Sequence, residues 1–413
     1  MTSRRLFIKS GAMAMLSLGF APSFLARTVE AAAGRRRLLV AIFQRGAMDG
    51  LNMVVPYGEA EYYRLRPGIA IPRPGGAGTA IDLDGFFGLH PVMAPLMPLW
   101  TNHSLAIVHA AGSPDATRSH FDAQDYMETA TPGVKSTRDG WLNRTLQIAE
   151  SDPSTPLGAR RNPLRGVAVT RQMPRSLQGR AASLAVGNVD DFQVRGDMQA
   201  QRSLEAIYAA DKVLGGTAAD AFEAMRTLRA ATTGTYRPAA GASYPRSPFG
   251  QALQEIARVA KADVGLEIAF AESGNWDHHV NEGGVTGQVA NRLTDLSHGI
   301  AALAADLGER MADTVIITMS EFGRAVAENG NGGTDHGHGN AMLIAGGPVK
   351  GGRVHGRWPG LKDDQRFEGR DLAVTTDFRE VFSEIVAGHL GAPPAALARV
   401  FPGFSARGGL GVV

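Results

Sequence analysis

The stretch Leu38-Leu39-Val40-Ala41-Ile42-Phe43-Gln44-Arg45-Gly46-Ala47-Met48-Asp49-Gly50 sets a continuous apolar run directly before a polar, glycine-bearing loop. Such a run, bounded by a turn signal, reads as a strand buried on both faces with the loop at its carboxyl end. Three further units repeat the pattern. Residues 104–110 (SLAIVHA) lead into a loop at 112–118 and a helical stretch at 119–130; residues 314–319 (TVIITM) run into Ser320-Glu321-Phe322-Gly323-Arg324; and residues 341–345 (AMLIA) follow Gly333-Thr334-Asp335-His336-Gly337. Apolar spacing predicts amphipathic helices over 249–270, 286–311 and 377–390. Strands alternating with helices give an α/β class: a doubly wound, mostly parallel sheet flanked by helices. Ligands of such sheets gather in the crevice at the carboxyl ends of the strands.

The middle of the chain is less regular, with strand-like 166–170 and 183–188, helical 204–230, and a Thr-, Gly- and Pro-rich loop at 231–248. Residues 171–248 are read as an insertion or cap on one continuous domain spanning 34–413. The composition of the 413 residues, 44% hydrophobic and 20% charged, is that of a globular protein and excludes disorder as the main state. The absence of Cys excludes disulfides, thiolate metal sites, iron-sulfur clusters and a cysteine nucleophile. The formal charge of +2 comes from the N-terminus: removing Arg4, Arg5, Lys9, Arg27 and Glu30 from 42 basic and 40 acidic residues leaves −1. A near-neutral body offers no electrostatic footprint for nucleic acid.

Two short polar clusters hold four of the eleven histidines: Asn275-Trp276-Asp277-His278-His279-Val280-Asn281-Glu282 and Thr334-Asp335-His336-Gly337-His338-Gly339. In a protein without Cys, imidazole and carboxylate are the main metal donors, and both suit Zn, Mn or Fe. Asp277, His279, Asp335 and His336, with Asp49 from the first loop, form the candidate ligand set. Two ions about 3.5–4 Å apart would clamp a tetrahedral anion. The competing reading is that Asp and His in glycine-rich loops serve as caps and turn-formers. Ser119 stands at a predicted helix N-terminus, where backbone N–H groups favour an anion. It is a candidate nucleophile with Arg118 as an oxyanion clamp, and equally a helix cap. His120 is a candidate base or a solvent-facing residue of the first turn. Glu321 either orients a ligand His or pairs with Arg324. No phosphate-binding glycine loop of the Walker or dinucleotide type is present.

The N-terminal Ser3-Arg4-Arg5-Leu6-Phe7-Ile8-Lys9, the weakly apolar 10–26 and Ala31-Ala32-Ala33 resemble a bacterial twin-arginine signal peptide over residues 1–33. The resemblance implies export in the folded state by the twin-arginine machinery and a periplasmic or extracellular mature protein with no stable membrane span. Further motifs are Arg45-Gly46-Ala47-Met48-Asp49-Gly50-Leu51-Asn52, Arg118-Ser119-His120-Phe121-Asp122-Ala123-Gln124, Trp276-Asp277-His278-His279, Ser320-Glu321-Phe322-Gly323-Arg324, Gly333-Thr334-Asp335-His336-Gly337 and Trp358-Pro359-Gly360-Leu361. In this order they resemble domain of unknown function family 1501, which is in turn similar to the alkaline phosphatase and sulfatase superfamily. That superfamily implies a first metal site at Asp49, Ser119, Asp335 and His336, and a second begun by Asp277 and His279. The sequence departs from the better-known phosphatases in having Asn281 where a second-site His is expected; His338 and His355 are the remaining candidates for a last ligand. It also lacks the Cys, or the Ser-x-Pro-x-Arg pattern, of a formylglycine sulfatase.

The resulting expectation is an exported hydrolase of phosphate esters or related tetrahedral anions, using one or two divalent ions (Zn, Mn, Ca or Mg). Ser119, Arg118 and Glu321 are its catalytic candidates, and a small-molecule or polymer-linked anionic ester is its substrate. The alternative is a non-catalytic cell-envelope binding or assembly protein with a degenerate phosphatase-like site.

Overall fold

Strand β1, Leu38–Gln44, is buried along its whole length. Leu38, Val40 and Ile42 enter one apolar core, while Leu39, Ala41 and Phe43 enter another on the opposite face. A strand covered on both sides has no polar alternation, which is why it reads as an unbroken apolar run. The computed structural model describes residues 37–151, 162–190 and 215–413. Residues 1–33, expected to be a signal peptide, lie outside the described residues, as does 191–214 within the expected cap.

The other strands of the main sheet are β2 (Leu105–Gly112), β3 (Gly166–Ala168), β4 (Leu184–Ala185), β5 (Ile268–Ser273), β6 (Thr314–Met319), β7 (Asn340–Gly346), β8 (Arg353–His355) and β9 (Thr376–Asp377). Their order is β8-β2-β7-β6-β1-β5-β3-β4, with β9 also pairing β2. All pairings are parallel except those of β7, which runs antiparallel to β2 and β6. The helices used below are α1 (His120–Thr129), α2 (Trp141–Ser151), α3 (Gly215–Ala231), α4 (Pro248–Lys261), α5 (Gln288–Leu307) and α6 (Phe378–Glu384). Leu253 and Ile256 of α4 with Leu293 and Ile300 of α5 cover one face. Trp141 of α2 and Phe382 of α6 cover the other, their rings stacked at 4.3 Å. Burying each ring of that kind contributes about 1.5–3 kcal/mol. The fold is thus the expected α/β class, a mostly parallel sheet flanked by helices. Among the described residues no helix is long and apolar enough to cross a membrane.

Two elements differ from the sequence reading. The helix expected over 249–270 ends at Lys261, and β5 begins at Ile268. Asp263 and Gly265 take positive φ of 52° and 93°, a left-handed break that no helix continues through. The second difference is the direction of β7. A parallel return from β6 needs a crossover, usually a helix, whereas residues 320–339 contain none. The chain therefore reverses, which brings the start of β7 to the edge where β1, β2, β5 and β6 end. Of the stretch 171–248, β4 joins the edge of the main sheet, and Ala224 and Leu228 of α3 enter the same apolar core as α4 and α5.

Candidate metal centre

Four loops meet at that edge, and one side chain ties three of them together. Arg324 has no exposed side-chain surface. Its guanidinium donates to the carbonyls of Ala47 (2.8 Å), Trp276 (2.9 Å) and Thr334 (3.2 Å) and to Asp277 Oδ1 (2.7 Å). The backbones are close enough that a Cβ on Gly46 would stand 2.8 Å from the Asp277 amide nitrogen, and Gly46 has φ +116°. Glycine at this position allows both the contact and the turn. Gly333 is similarly pressed against the His279 backbone, 2.4 Å from its carbonyl carbon to an added Cβ.

Into this frame project three imidazoles and a carboxylate. His120 Nε2 and His336 Nε2 are 3.0 Å apart, and His279 Nε2 is 2.9 Å from His336 Nε2. Asp277 Oδ1 lies 3.0 Å from His279 Nε2 and 3.2 Å from His336 Nε2, and its Oδ2 lies 3.4 Å from His120 Nε2. Donor atoms of His120, Asp277 and His336 all fall within 4.8 Å of one another, so the three form a group able to hold a metal ion. His279 adjoins that group through His336 and Asp277.

The outward nitrogen of each ring is engaged as well. His120 Nδ1 meets Glu321 Oε1 at 2.7 Å, His336 Nδ1 meets the Arg118 carbonyl at 2.9 Å, and His279 Nδ1 meets Asp335 Oδ1 at 3.3 Å. A carbonyl or carboxylate only accepts, so each Nδ1 carries the hydrogen and each neutral ring turns a lone pair inward from Nε2; the tautomers are assigned from these partners. Lone pairs facing each other at 3.0 Å repel unless a proton or a cation lies between them. Four-coordinate zinc with bonds of about 2.0–2.1 Å sets its donors about 3.3 Å apart, which matches the observed spacing. Carboxylates behind ligand histidines are the usual way such rings are aimed. This imidazole-rich set suits zinc or iron better than calcium or magnesium, which prefer oxygen.

The electrostatics agree. The hydrogen bond to Glu321, above all, raises the His120 pKa above its ordinary value. Burial, first of all, lowers that of His336. Burial would raise Asp277, but the adjacent Arg324 outweighs it and keeps the carboxyl below its usual range. Glu321, buried, is likewise held low because its bond to His120 outweighs desolvation. The bond from Asn329 lowers Asp335.

The sequence-derived residues fall into place unevenly. Asp277, His279, Asp335 and His336 come together here, Asp335 behind His279. Glu321 partners His120 and Gln124 (2.9 Å) rather than Arg324. Ser119 is exposed at the N-cap of α1 between two residues that touch the cluster, and its hydroxyl makes no capping bond. Arg118 is turned away: its guanidinium binds Asp371 Oδ2 (2.6 Å) and Glu368 Oε2 (2.7 Å), while its carbonyl holds His336. Asp49 stands outside the cluster. Its Oδ2 pairs with the buried Arg66 at 2.5 Å and its Oδ1 accepts from the Leu51 amide at 3.2 Å, so both oxygens are committed. His338 stacks on Phe367 and His355 bonds the Leu410 carbonyl. The sequence reading left His120 between two roles. The available signal was Gln124, one helical turn on and therefore on the same face.

No curated protein matches the chain. Among solved structures it is similar to the PsFucS1 sulfatase from Pseudoalteromonas sp., at 12% identity and a TM-score of 0.34, covering 80% of this chain and 67% of that one. The family described as "Protein of unknown function (DUF1501)" matches residues 85–379. That span takes in the His120, Asp277, His279, Glu321 and His336 positions and most of the chain, which therefore belongs to the DUF1501 family.

Proposed function

We propose that this chain is an exported, metal-dependent hydrolase of phosphate esters or related tetrahedral anions. The observation that carries the reading is the convergence of His120, His279 and His336 through Nε2 on Asp277, each ring held at Nδ1 by an acceptor. A divalent ion held by these residues would supply Lewis acidity toward a phosphoryl or sulfuryl oxygen. Ser119, next to His120 and not engaged as a cap, is the proposed nucleophile. Its Oγ–P bond forms as the P–O bond to the leaving alcohol breaks, and the departing alkoxide takes up the proton that the hydroxyl gives up. Water then cleaves the seryl ester and releases phosphate. Glu321 and Asp335 keep the rings oriented through both steps. Arg118, neutralised by Asp371 and Glu368, acts in this reading as a positioning residue that fixes the carbonyl behind His336. The twin-arginine resemblance of residues 1–33 supports export to the periplasm or beyond.

The second reading, a binding or assembly protein of the cell envelope, is favoured by one observation: Asp49 is paired with Arg66, which leaves one cluster where the superfamily implies two. Metal content by mass spectrometry, with turnover of aryl phosphate and aryl sulfate esters, separates the two for wild type, His336→Ala and Ser119→Ala. The hydrolase reading expects stoichiometric metal lost in His336→Ala, and metal retained with turnover lost in Ser119→Ala. Metal without turnover in the wild type would overturn it.

A further inference from the structure

His120, Gln124 and Glu128 follow one another at four-residue spacing along α1 and so share a face of that helix. Each meets a charged partner. His120 Nδ1 lies 2.7 Å from Glu321 Oε1, Gln124 Nε2 lies 2.9 Å from the same oxygen, and Glu128 Oε1 lies 2.9 Å from Arg45 Nη2. Arg45 also reaches the middle residue of the three. Its Nη1 is 3.0 Å from Gln124 Oε1, and its Nε is 2.8 Å from Glu272 Oε1 in β5.

The direction of every bond in this ladder follows from its ends. A guanidinium only donates, so the Gln124 amide must turn its oxygen to Arg45 and its nitrogen to Glu321. A carboxylate only accepts, and Glu321 Oε1 takes a further hydrogen from the Gly46 amide at 2.8 Å. The Glu321 side chain has no exposed surface, so water does not stand in for a donor that is lost. Two side chains of α1 thus hold one oxygen between them. A carboxylate held in this way keeps the hydrogen of His120 on Nδ1 and turns the Nε2 lone pair toward His336, 3.0 Å away.

We infer that Gln124 is a positioning residue for the metal: its amide, oriented by Arg45, fixes Glu321 and through it the lone pair that His120 presents. This rests on the reading of the cluster as a metal site. Glu128 and Glu272 grip the Arg45 fork from two elements, α1 and β5, so the amide is set before any ion arrives. Gln124 is not itself a donor to the ion; its loss changes how well a ligand ring is aimed and leaves the number of ligands as it was.

Two substitutions separate this role from packing. Gln124→Leu removes both bonds, whereas Gln124→Glu keeps an acceptor for Arg45 and offers Glu321 no hydrogen. Zinc affinity, read by competition with a chelator, is expected to fall about tenfold in each, the lower end of the effect of a group behind a ligand histidine. The added charge of the Glu variant would by itself attract the cation, so a loss there reports the missing donor. Both metal-free variants are expected to unfold in urea as the wild type does, Gln124 being only half-buried. In long-range proton-nitrogen spectra of the zinc-loaded wild type, His120 is expected to carry its hydrogen on Nδ1, with a downfield proton signal that moves upfield in both variants. Affinity that survives in Gln124→Glu, or a His120 Nδ1 proton signal that stays in place in both variants, overturns the role of Gln124 and leaves the metal site standing. Wild type that takes up no zinc overturns the metal reading and this inference with it.

Discussion

Arg324 Nη2 lies 2.7 Å from Asp277 Oδ1, and the same guanidinium holds the carbonyls of Ala47, Trp276 and Thr334. One buried cation thus joins the loops after β1, β5 and β6 and lends its charge to a candidate ligand. Loops of this kind carry few apolar contacts of their own, so their relative placement depends on such polar ties.

Removing the guanidinium leaves several buried carbonyls without a donor, each costing about 1–3 kcal/mol. Arg324→Ala is expected to lower stability by about 3–5 kcal/mol, near the cost of breaking a buried pair. Arg324→Lys should recover only part of this, since an ammonium lacks the planar fork that reaches several acceptors at once. Urea unfolding of the metal-free protein measures both. A loss under about 1 kcal/mol for the Ala variant would show that the loops hold together without it.

The ligand set separates cleanly from the residues around it. His120→Ala, Asp277→Asn and His336→Ala are expected to abolish stoichiometric metal, while Glu321→Gln and Asp335→Asn, which act through His120 and His279, weaken affinity about 10- to 100-fold. Asp49→Asn should keep its metal. Its effect is on stability, because Arg66 has no exposed side-chain surface and its carboxylate partner would be gone; the expected loss is about 3–5 kcal/mol. Metal analysis and melting of the same preparations read both effects. An Asp49→Asn protein that melts as the wild type but holds no metal would place Asp49 among the ligands after all.

The parts of this arrangement visible in the sequence are those set by local chemistry. Strands buried on both faces, such as 38–43 and 314–319, announce themselves as apolar runs, and the two Asp-His clusters stand out in glycine-rich loops. What was hidden depends on distant partners. Glu321 and His120 are 201 positions apart, and Arg66 and Asp49 are 17 apart with two short helices and a strand between them. No spacing rule pairs them. Strand β5 was hidden for another reason: Ile268-Ala269-Phe270-Ala271 continues the apolar spacing of α4, and only the left-handed Asp263 and Gly265 separate the two.

Glu282 makes an acid–base prediction away from the rings. It is buried, and burial first, then repulsion from Asp49, raise its pKa well above the ordinary value of 4.5. Its Oε2 accepts from Thr334 Oγ1 at 2.6 Å, while the buried Oε1 has no hydrogen-bond partner, an arrangement that disfavours the charged carboxylate. An acid whose folded pKa is raised gives its full stability below the unfolded pKa and loses it as pH rises through the folded one. Wild type should therefore weaken as pH climbs above 4.5. Glu282→Gln, which keeps an acceptor for Thr334 and does not titrate, should show a shallower decline in denaturation midpoints over the same range. Parallel pH profiles for the two proteins would mean that Glu282 is ionised in the fold.

Proton and metal compete for one place, the gap between His120 and His336, and the competition fixes a pH dependence. The Glu321 bond raises the His120 pKa above its ordinary 6.5, so in the metal-free protein this ring stays protonated at higher pH than usual. The stability it contributes is full below 6.5 and is lost as pH rises through the raised value. A metal needs the neutral ring, so its binding strengthens over that same interval and releases a proton. His336, lowered by burial, acts only on the acid side of 6.5. The increase in melting temperature on adding zinc should thus grow from pH 6.5 upward, because the metal-free form weakens while the loaded form gains. Glu321→Gln removes the group that raises His120, so the growth should shift to lower pH even as the affinity falls. Melting curves of metal-free and zinc-loaded protein between about pH 5.5 and 9 decide the matter. An increment independent of pH in the wild type would mean that His120 does not exchange a proton for the metal.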